Sequence, residues 1–355
     1  MDRIEKLRKL LPADFTAALV TGEVSRYYLL SFDSGDAGTL LVFPDASYFI
    51  IDARYIEVAG NDVKNAEVVL QKKVLEQVAE LLKKHGATRL LLENTTTLAE
   101  YARLSAALPG VELDGGDTLT DALETCRRIK DESEWADICT AQKITDAAFE
   151  YILPRLQPGC TESELAAEME YFMRKNGAGK LAFSTILVAG AKTSLPHGVP
   201  GDNRLKKGDF VTMDFGANYH GYCTDMTRTV ALGSVTDEMK LVYDTVLKAQ
   251  LAACAFAKAG QKGCEVDKVA RDIINAAGYE GCFGHGLGHS VGIEIHESPR
   301  YSSAEQAVVE AGTVMTIEPG IYLPGRFGVR IEDTVLVKEN GIEIPGRTSK
   351  ELIIL

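Results

Sequence analysis

Residues 211–229 read VTMDFGANYHGYCTDMTRT and carry two aspartates, Asp214 and Asp225, on either side of a turn-forming stretch. If 211–216 and 221–229 are the arms of a hairpin that turns at Tyr219 and His220, the two aspartates lie directly opposite one another and project from the same face. Opposed like charges repel, so such a strand pair needs a proton or a cation between them. A second hairpin, from TIEPGIY (316–322) to VRIEDT (329–334) around Pro324, Gly325 and Arg326, sets Glu318 opposite Glu332 in the same way. The two halves repeat: Thr212, Asp214 and Gly216 match Thr316, Glu318 and Gly320, and Asp225 with Thr227 matches Glu332 with Thr334. A duplicated unit with pseudo-twofold symmetry leaves this trace. A single acid on a strand is a solvent-facing group; two opposed pairs together are a cation site.

The segment GHGLGHSVGIEIHE (284–297) adds an imidazole, His289, to the four acids. Oxygen-rich donors with one nitrogen suit two hard or borderline divalent cations sharing bridging carboxylates, and do not suit a thiolate zinc site. Two such ions make a hydroxide at neutral pH, which is what amide hydrolysis needs. His285 and His289 are four apart, but the glycines at 284, 286, 288 and 292 argue against a helix and instead let backbone pass close to a ligand.

A chain of 355 residues exceeds one ordinary core and predicts two domains. Apolar residues at 46% and charged residues at 25% describe a globular protein. Net charge is −13, and the basic clusters are only pairs such as Lys83-Lys84 and Lys206-Lys207, which excludes nucleic acid as a partner. The longest apolar run, 40–51, is interrupted by Pro44 and Asp45, so no membrane span is expected. Residues 1–11 read as an amphipathic helix and not a signal peptide. Seven cysteines without C-x-x-C spacing fit a reducing cytoplasm.

Residues 1–125 alternate strands (16–21, 26–30, 39–43, 47–51, 90–92) with helices (72–85, 98–107), an α/β domain. The charged run 127–134 marks the boundary, with Ser133 capping the helix that follows. In 126–355, helices over 134–153 and 162–176 precede the first hairpin, and helices over 237–259 and 265–277 precede the second. Helices followed by antiparallel strands, twice, predict an α+β domain with helices on one face of a curved sheet.

These segments resemble the pita-bread metallopeptidases, the group containing methionine aminopeptidase, aminopeptidase P and prolidase. The resemblance spans the whole chain: all five ligand positions occur in order, an R-x-x-K-x-x-x-E run opens the catalytic domain at Arg127, and the first third looks like the smaller, creatinase-like domain of the proline-specific members. It implies that Asp214 is a bidentate ligand of one ion, that Asp225 and Glu332 bridge, and that His289 and Glu318 bind the other ion, with His285 a neighbour. His197 and His296 match the two non-ligand histidines that act on substrate, while Glu318 takes up a proton. Arg330, two residues before Glu332 on a strand, faces the metals and orients a ligand carboxylate, and Thr227 and Thr316 support the same faces. The implied activity is hydrolysis of the N-terminal Xaa-Pro bond of a peptide, by a cytoplasmic homodimer loaded with Mn²⁺ or Co²⁺. Arg300, after the His296-Glu297 pair, is where a prolidase would receive a dipeptide carboxylate; similar runs occur in enzymes that accept longer peptides, so substrate length stays open. Methionine aminopeptidase lacks the leading domain, and a non-catalytic binding homologue would show a degraded site.

Overall fold

The computed structural model describes residues 2–355, and the chain divides into two compact units, Met1–Arg127 and Arg128–Leu355. In the first, six strands lie in the order Glu67–Leu70, Ser47–Ile51, Thr39–Val42, Ala17–Val20, Arg89–Leu92, Glu112–Asp114. Only Thr39–Val42 runs antiparallel to its neighbours. The central strands are apolar on both faces, as strands flanked by helices must be. The strand expected over 26–30 is instead part of a helix, Glu23–Leu30. At its start Glu93 accepts from Thr21 N, Gly22 N and Ser25 Oγ, and Tyr28 donates to Cys126 O. The Tyr-Tyr-Leu-Leu run has strand propensity, but these long-range contacts override it.

The second unit is built twice. Helices Glu132–Ile152 and Glu162–Lys175 pack on strands Ile186–Ala189, Phe210–Phe215 and Met226–Ala231, burying Leu165, Met169, Leu187, Met213 and Phe215 in one core. Helices Asp237–Phe256 and Gly263–Ala276 pack on Val314–Ile317, Gly320–Leu323, Phe327–Arg330 and Asp333–Lys338 around Val246, Ile274, Met315, Ile317 and Val335. This is the α+β arrangement the repeat predicts. The cap of helix Glu132–Ile152 is Asp131 and not Ser133: its carboxylate accepts from the backbone of Ser133 and Glu134, and Glu134 returns a bond to Asp131 N.

The two hairpins differ in register. In the first, Asp214 pairs with Thr227, so the expectation that it faces Asp225 directly is corrected by two positions. The turn residues are His220 and Gly221, both with positive φ (45° and 82°), the signature of a two-residue hairpin turn matched to strand twist. A shift of two keeps every side chain on its face, so Asp214 and Asp225 still project together. In the second hairpin Ile317 pairs with Asp333 and Gly320 with Arg330, a register in which Glu318 faces Glu332. Both glutamates sit in the gap where the chain leaves one sheet for another.

Gly216 makes the first hairpin possible, because a Cβ there would lie 1.8 Å from Thr224 O. Gly216→Ala should therefore lower stability by about 3 kcal/mol or more. Gly60→Ala, with open space around a helical position, should be neutral or raise it by up to about 1 kcal/mol. Denaturant midpoints of the two variants check the contrast.

Candidate metal centre and active site

One cavity of about 650 Å³ is lined by Asp214, Asp225, His289, Glu318 and Glu332, together with His197, His285, His296, Arg300 and Arg330. Strand Phe210–Phe215 carries Asp214, the bend before Met226–Ala231 carries Asp225, strand Gly288–Ser290 carries His289, and the two sheet gaps carry Glu318 and Glu332. Asp225, His289 and Glu332 bring ligand atoms within 4.8 Å of one another.

The donor set fits divalent cations on two observations. Asp214 Oδ1, Asp225 Oδ1 and Glu332 Oε1 are buried without any hydrogen-bond donor, a costly state for a carboxylate oxygen. His289 Nδ1 lies 3.1 Å from Ser290 O, which can only accept, so Nδ1 carries the proton. Its Nε2 lone pair then faces Asp225 Oδ2 at 3.6 Å and Glu318 Oε1 at 3.5 Å, acceptor against acceptor. A cation between them resolves this.

Electrostatics tell the same story. Burial, with Glu332, Asp214 and Glu318 close by, pushes the Asp225 carboxyl well above the usual range. Burial, then Glu318 and Asp214, does the same to Glu332. The Glu318 carboxyl is pushed up to about 8 by burial, with Arg330 opposing and Asp214 adding to the rise. Burial and the neighbouring His296 hold the His289 imidazole down at about 4, so it is neutral and able to bind a metal. His296, T-shaped on His289 at 4.4 Å between ring centres, is also lowered, by burial and by Arg300 and His197.

Around the acids lies a fully occupied frame. Arg330 donates to Asp214 Oδ2 (2.6 Å), Thr227 Oγ1 (3.0 Å) and Tyr322 OH (2.8 Å). Thr227 in turn donates to Glu332 Oε2 at 2.6 Å, and Thr316 Oγ1 accepts from His289 N and reaches Glu318 Oε1 at 3.3 Å. His285 spends Nδ1 on Gly286 O and Nε2 on Tyr322 OH, which leaves neither nitrogen for an ion. Sequence reasoning missed Tyr322, although it stands four residues after Glu318, at the strand's period.

It also missed three buried acids that pin the histidine loops. Glu162 accepts from Ala189 N, Gly201 N, Asn203 and Lys192, tying down the loop with His197. Asp267 accepts from Leu287 N and Arg271, and Arg271 donates to Phe283 O and His285 O. Glu297, beside His296, pairs with Lys130 at 3.0 Å, both side chains buried. The Arg127-to-Glu134 run contained that lysine, but its partner was not visible in sequence.

Comparisons with known proteins place the chain. Residues 136–339 match metallopeptidase family M24, and residues 3–129 match the Creatinase/Prolidase N-terminal domain. The chain is 36% identical to an Xaa-Pro dipeptidase of Pyrococcus furiosus, over 99% of each protein. Its structure is similar to that of an Xaa-Pro dipeptidase from Bacillus anthracis (TM-score 0.95, 41% identity, 100% of this chain and 99% of that one). It is also similar to an X-Pro aminopeptidase from Thermotoga maritima (TM-score 0.92, 35% identity, 99% and 100%). The chain belongs to metallopeptidase family M24, with a creatinase/prolidase-type N-terminal domain, and is a hydrolase of a family that uses divalent metal ions.

The raised carboxyls predict the pH response of the metal-free protein. A group whose folded pKa lies above its unfolded value, about 4.3 for Glu, contributes stability that is fully present below that value and is lost as pH rises through the folded one. The thermal midpoint of chelated protein should thus fall between about pH 5 and 8, the upper limit coming from Glu318, and added metal should flatten the curve. A midpoint that rises over this window would contradict the repulsion.

Proposed function

We propose that the protein hydrolyses the N-terminal Xaa-Pro bond of dipeptides or short peptides, using two divalent ions, Mn²⁺ or Co²⁺, as a cytoplasmic homodimer. The observation that carries the reading is the buried acid cluster with donorless oxygens, in one cavity with His197, His296 and Arg300. The names of relatives in both the dipeptidase and the aminopeptidase classes support the proline specificity. No helix among the described residues is long and apolar enough to cross a membrane.

Asp214, Asp225, His289, Glu318 and Glu332 are the residues proposed to hold the ions. When bound, these ions would supply Lewis acidity and a water of lowered pKa. The chain's own groups do the rest. Glu318, on the cavity wall with Oε1 3.3 Å from Thr316 Oγ1, is the carboxylate placed to accept a proton as the nucleophile forms. His296, a neutral imidazole on the cavity wall, donates to the scissile carbonyl oxygen as charge develops there. His197, exposed on the 195–200 loop, positions the substrate and can protonate the leaving nitrogen of proline, which brings no N–H of its own. Arg300, exposed on strand Glu297–Tyr301, is proposed to meet a substrate carboxylate.

Chelation should abolish activity and Mn²⁺ or Co²⁺ restore it, while Asp225→Asn and Glu332→Gln stay inactive with metal present. Full activity in a metal-stripped sample would sink the reading. His197→Ala and His296→Ala should each cut turnover on the order of 10²-fold and still bind metal as wild type does; loss of metal would make either one a ligand. Arg300→Ala should raise KM for Xaa-Pro dipeptides, by about 2–3 kcal/mol in free-energy terms if the bound substrate desolvates the pair, and barely affect Xaa-Pro-Xaa tripeptides. Equal loss on both would mean that Arg300 only shapes its loop.

A further inference from the structure

The first unit has a cavity of its own, sharing no residue with the one that holds the acid cluster. Strands Ala17–Val20, Ser47–Ile51, Glu67–Leu70 and Arg89–Leu92 all run in one direction, and the segments leaving their carboxyl ends converge. Thr21, Asp52, Arg54, Gln71 and Thr96 from those segments line one space of about 530 Å³. This edge of an open α/β sheet is where such folds hold small ligands. The space continues into a narrower one of about 200 Å³, with which it shares Thr21, Thr39, Val74, Thr96 and Glu100.

The two parts differ in chemistry. The narrow part lies between helices Val74–Lys84 and Leu98–Ala107, which present Val74, Leu75, Val78 and Leu104 over Leu19 of the sheet, an apolar slot with room for a Leu or Phe side chain. The wide part is polar. Arg26 on its wall is only 2% exposed; its guanidinium donates to Thr21 O and Gly35 O, and its Nε is buried with no acceptor. Glu93, the acid that caps the same helix, spends its oxygens on Thr21 N, Gly22 N and Ser25 Oγ. A buried guanidinium met only by carbonyl dipoles is short of an anion. Asp52 is matched by Arg54 at 2.6 Å, which leaves Asp36 and Glu100 as exposed acids on the same wall.

A cation short of an anion, two acids around the opening and an apolar slot beside them match a zwitterion with an apolar side chain. A plain fatty anion would be repelled by the acids, and a phosphate would need more than one unmatched cation. We propose that this cavity binds a free apolar α-amino acid, its carboxylate toward Arg26, its ammonium toward Asp36 and Glu100, and its side chain in the slot between the two helices. The site lies wholly within the first unit, so its failure would leave the Xaa-Pro reading untouched.

The test is calorimetric titration of L-leucine, L-phenylalanine and glycine into the Mn²⁺-loaded full chain. Leucine and phenylalanine should bind with Kd below about 1 mM, and glycine, which leaves the slot empty, about tenfold or more weakly. Leucinamide, which lacks the carboxylate, and 4-methylpentanoate, which lacks the ammonium, should each lose about tenfold or more against leucine. Val74→Trp fills the slot from the half-buried first turn of its helix, and Asp36→Lys reverses an exposed charge. Each variant should lose the leucine heat while its circular dichroism stays native. No heat from any of the amino acids at about 10 mM, equal affinity for leucine and either analogue, or leucine binding that survives in either variant would overturn the proposal, the last by placing the ligand elsewhere.

Discussion

The second unit is organised around an unfavourable contact, the packing of Asp214, Asp225, Glu318 and Glu332 against one another out of water. At an effective dielectric of about 20, two unit charges some 4–5 Å apart repel by roughly 3–4 kcal/mol, and several such pairs act at once. Protons can relieve the repulsion, as the raised carboxyls indicate, and so can cations. The protein's own cation at the cluster, Arg330, reaches only Asp214 among the acids. Its other bonds go to neutral groups, so most of the negative charge is left for something bound.

Holding repelling groups together demands a rigid surround, and the fold provides it by duplication. Each half brings its own helix pair and core, and the halves meet where Glu332 N donates to Thr227 O at 3.1 Å. Arg228 reinforces this seam: it pairs with Asp333 and donates to Ser349 O and Thr348 O, so the C-terminal segment is tied to the strand beside the site. Strong attraction from buried partners lets Asp333 keep a lowered carboxyl despite its burial. That is the opposite fate from Glu332 next door, and neighbouring cations decide it. Glu162, Asp267 and Glu297 are buried acids with donors of their own, and they fix the loops from which His197, His285 and His296 reach the cavity.

Much of this was legible in the sequence because it follows from period and repetition. The T-x-[D/E]-x-G repeat exposed the twofold design, and strand period alone put each acid pair on a common face. The face survived even where the register was misjudged, since His220 and Gly221 form the turn and the error was a whole pleat. What escaped were features set by distant partners. The 23–30 segment looks like a strand locally and is a helix because Glu93 caps it. Tyr322 and Lys130 lie within segments already singled out, but their roles depend on Arg330 and Glu297, which only the folded chain brings to them. The two-part cavity of the first unit is likewise assembled from loops and helices that only the folded sheet brings together.

The central claim is that the acid cluster stores protons which a divalent ion displaces. Calorimetric titration of Mn²⁺ into chelated, dialysed protein at pH 7, repeated in buffers of different ionisation enthalpy, reads that displacement directly. The account predicts a heat that varies with the buffer and corresponds to release of at least one proton per chain on metal binding. A binding heat independent of the buffer would mean that the acids are already ionised without metal, and would contradict it.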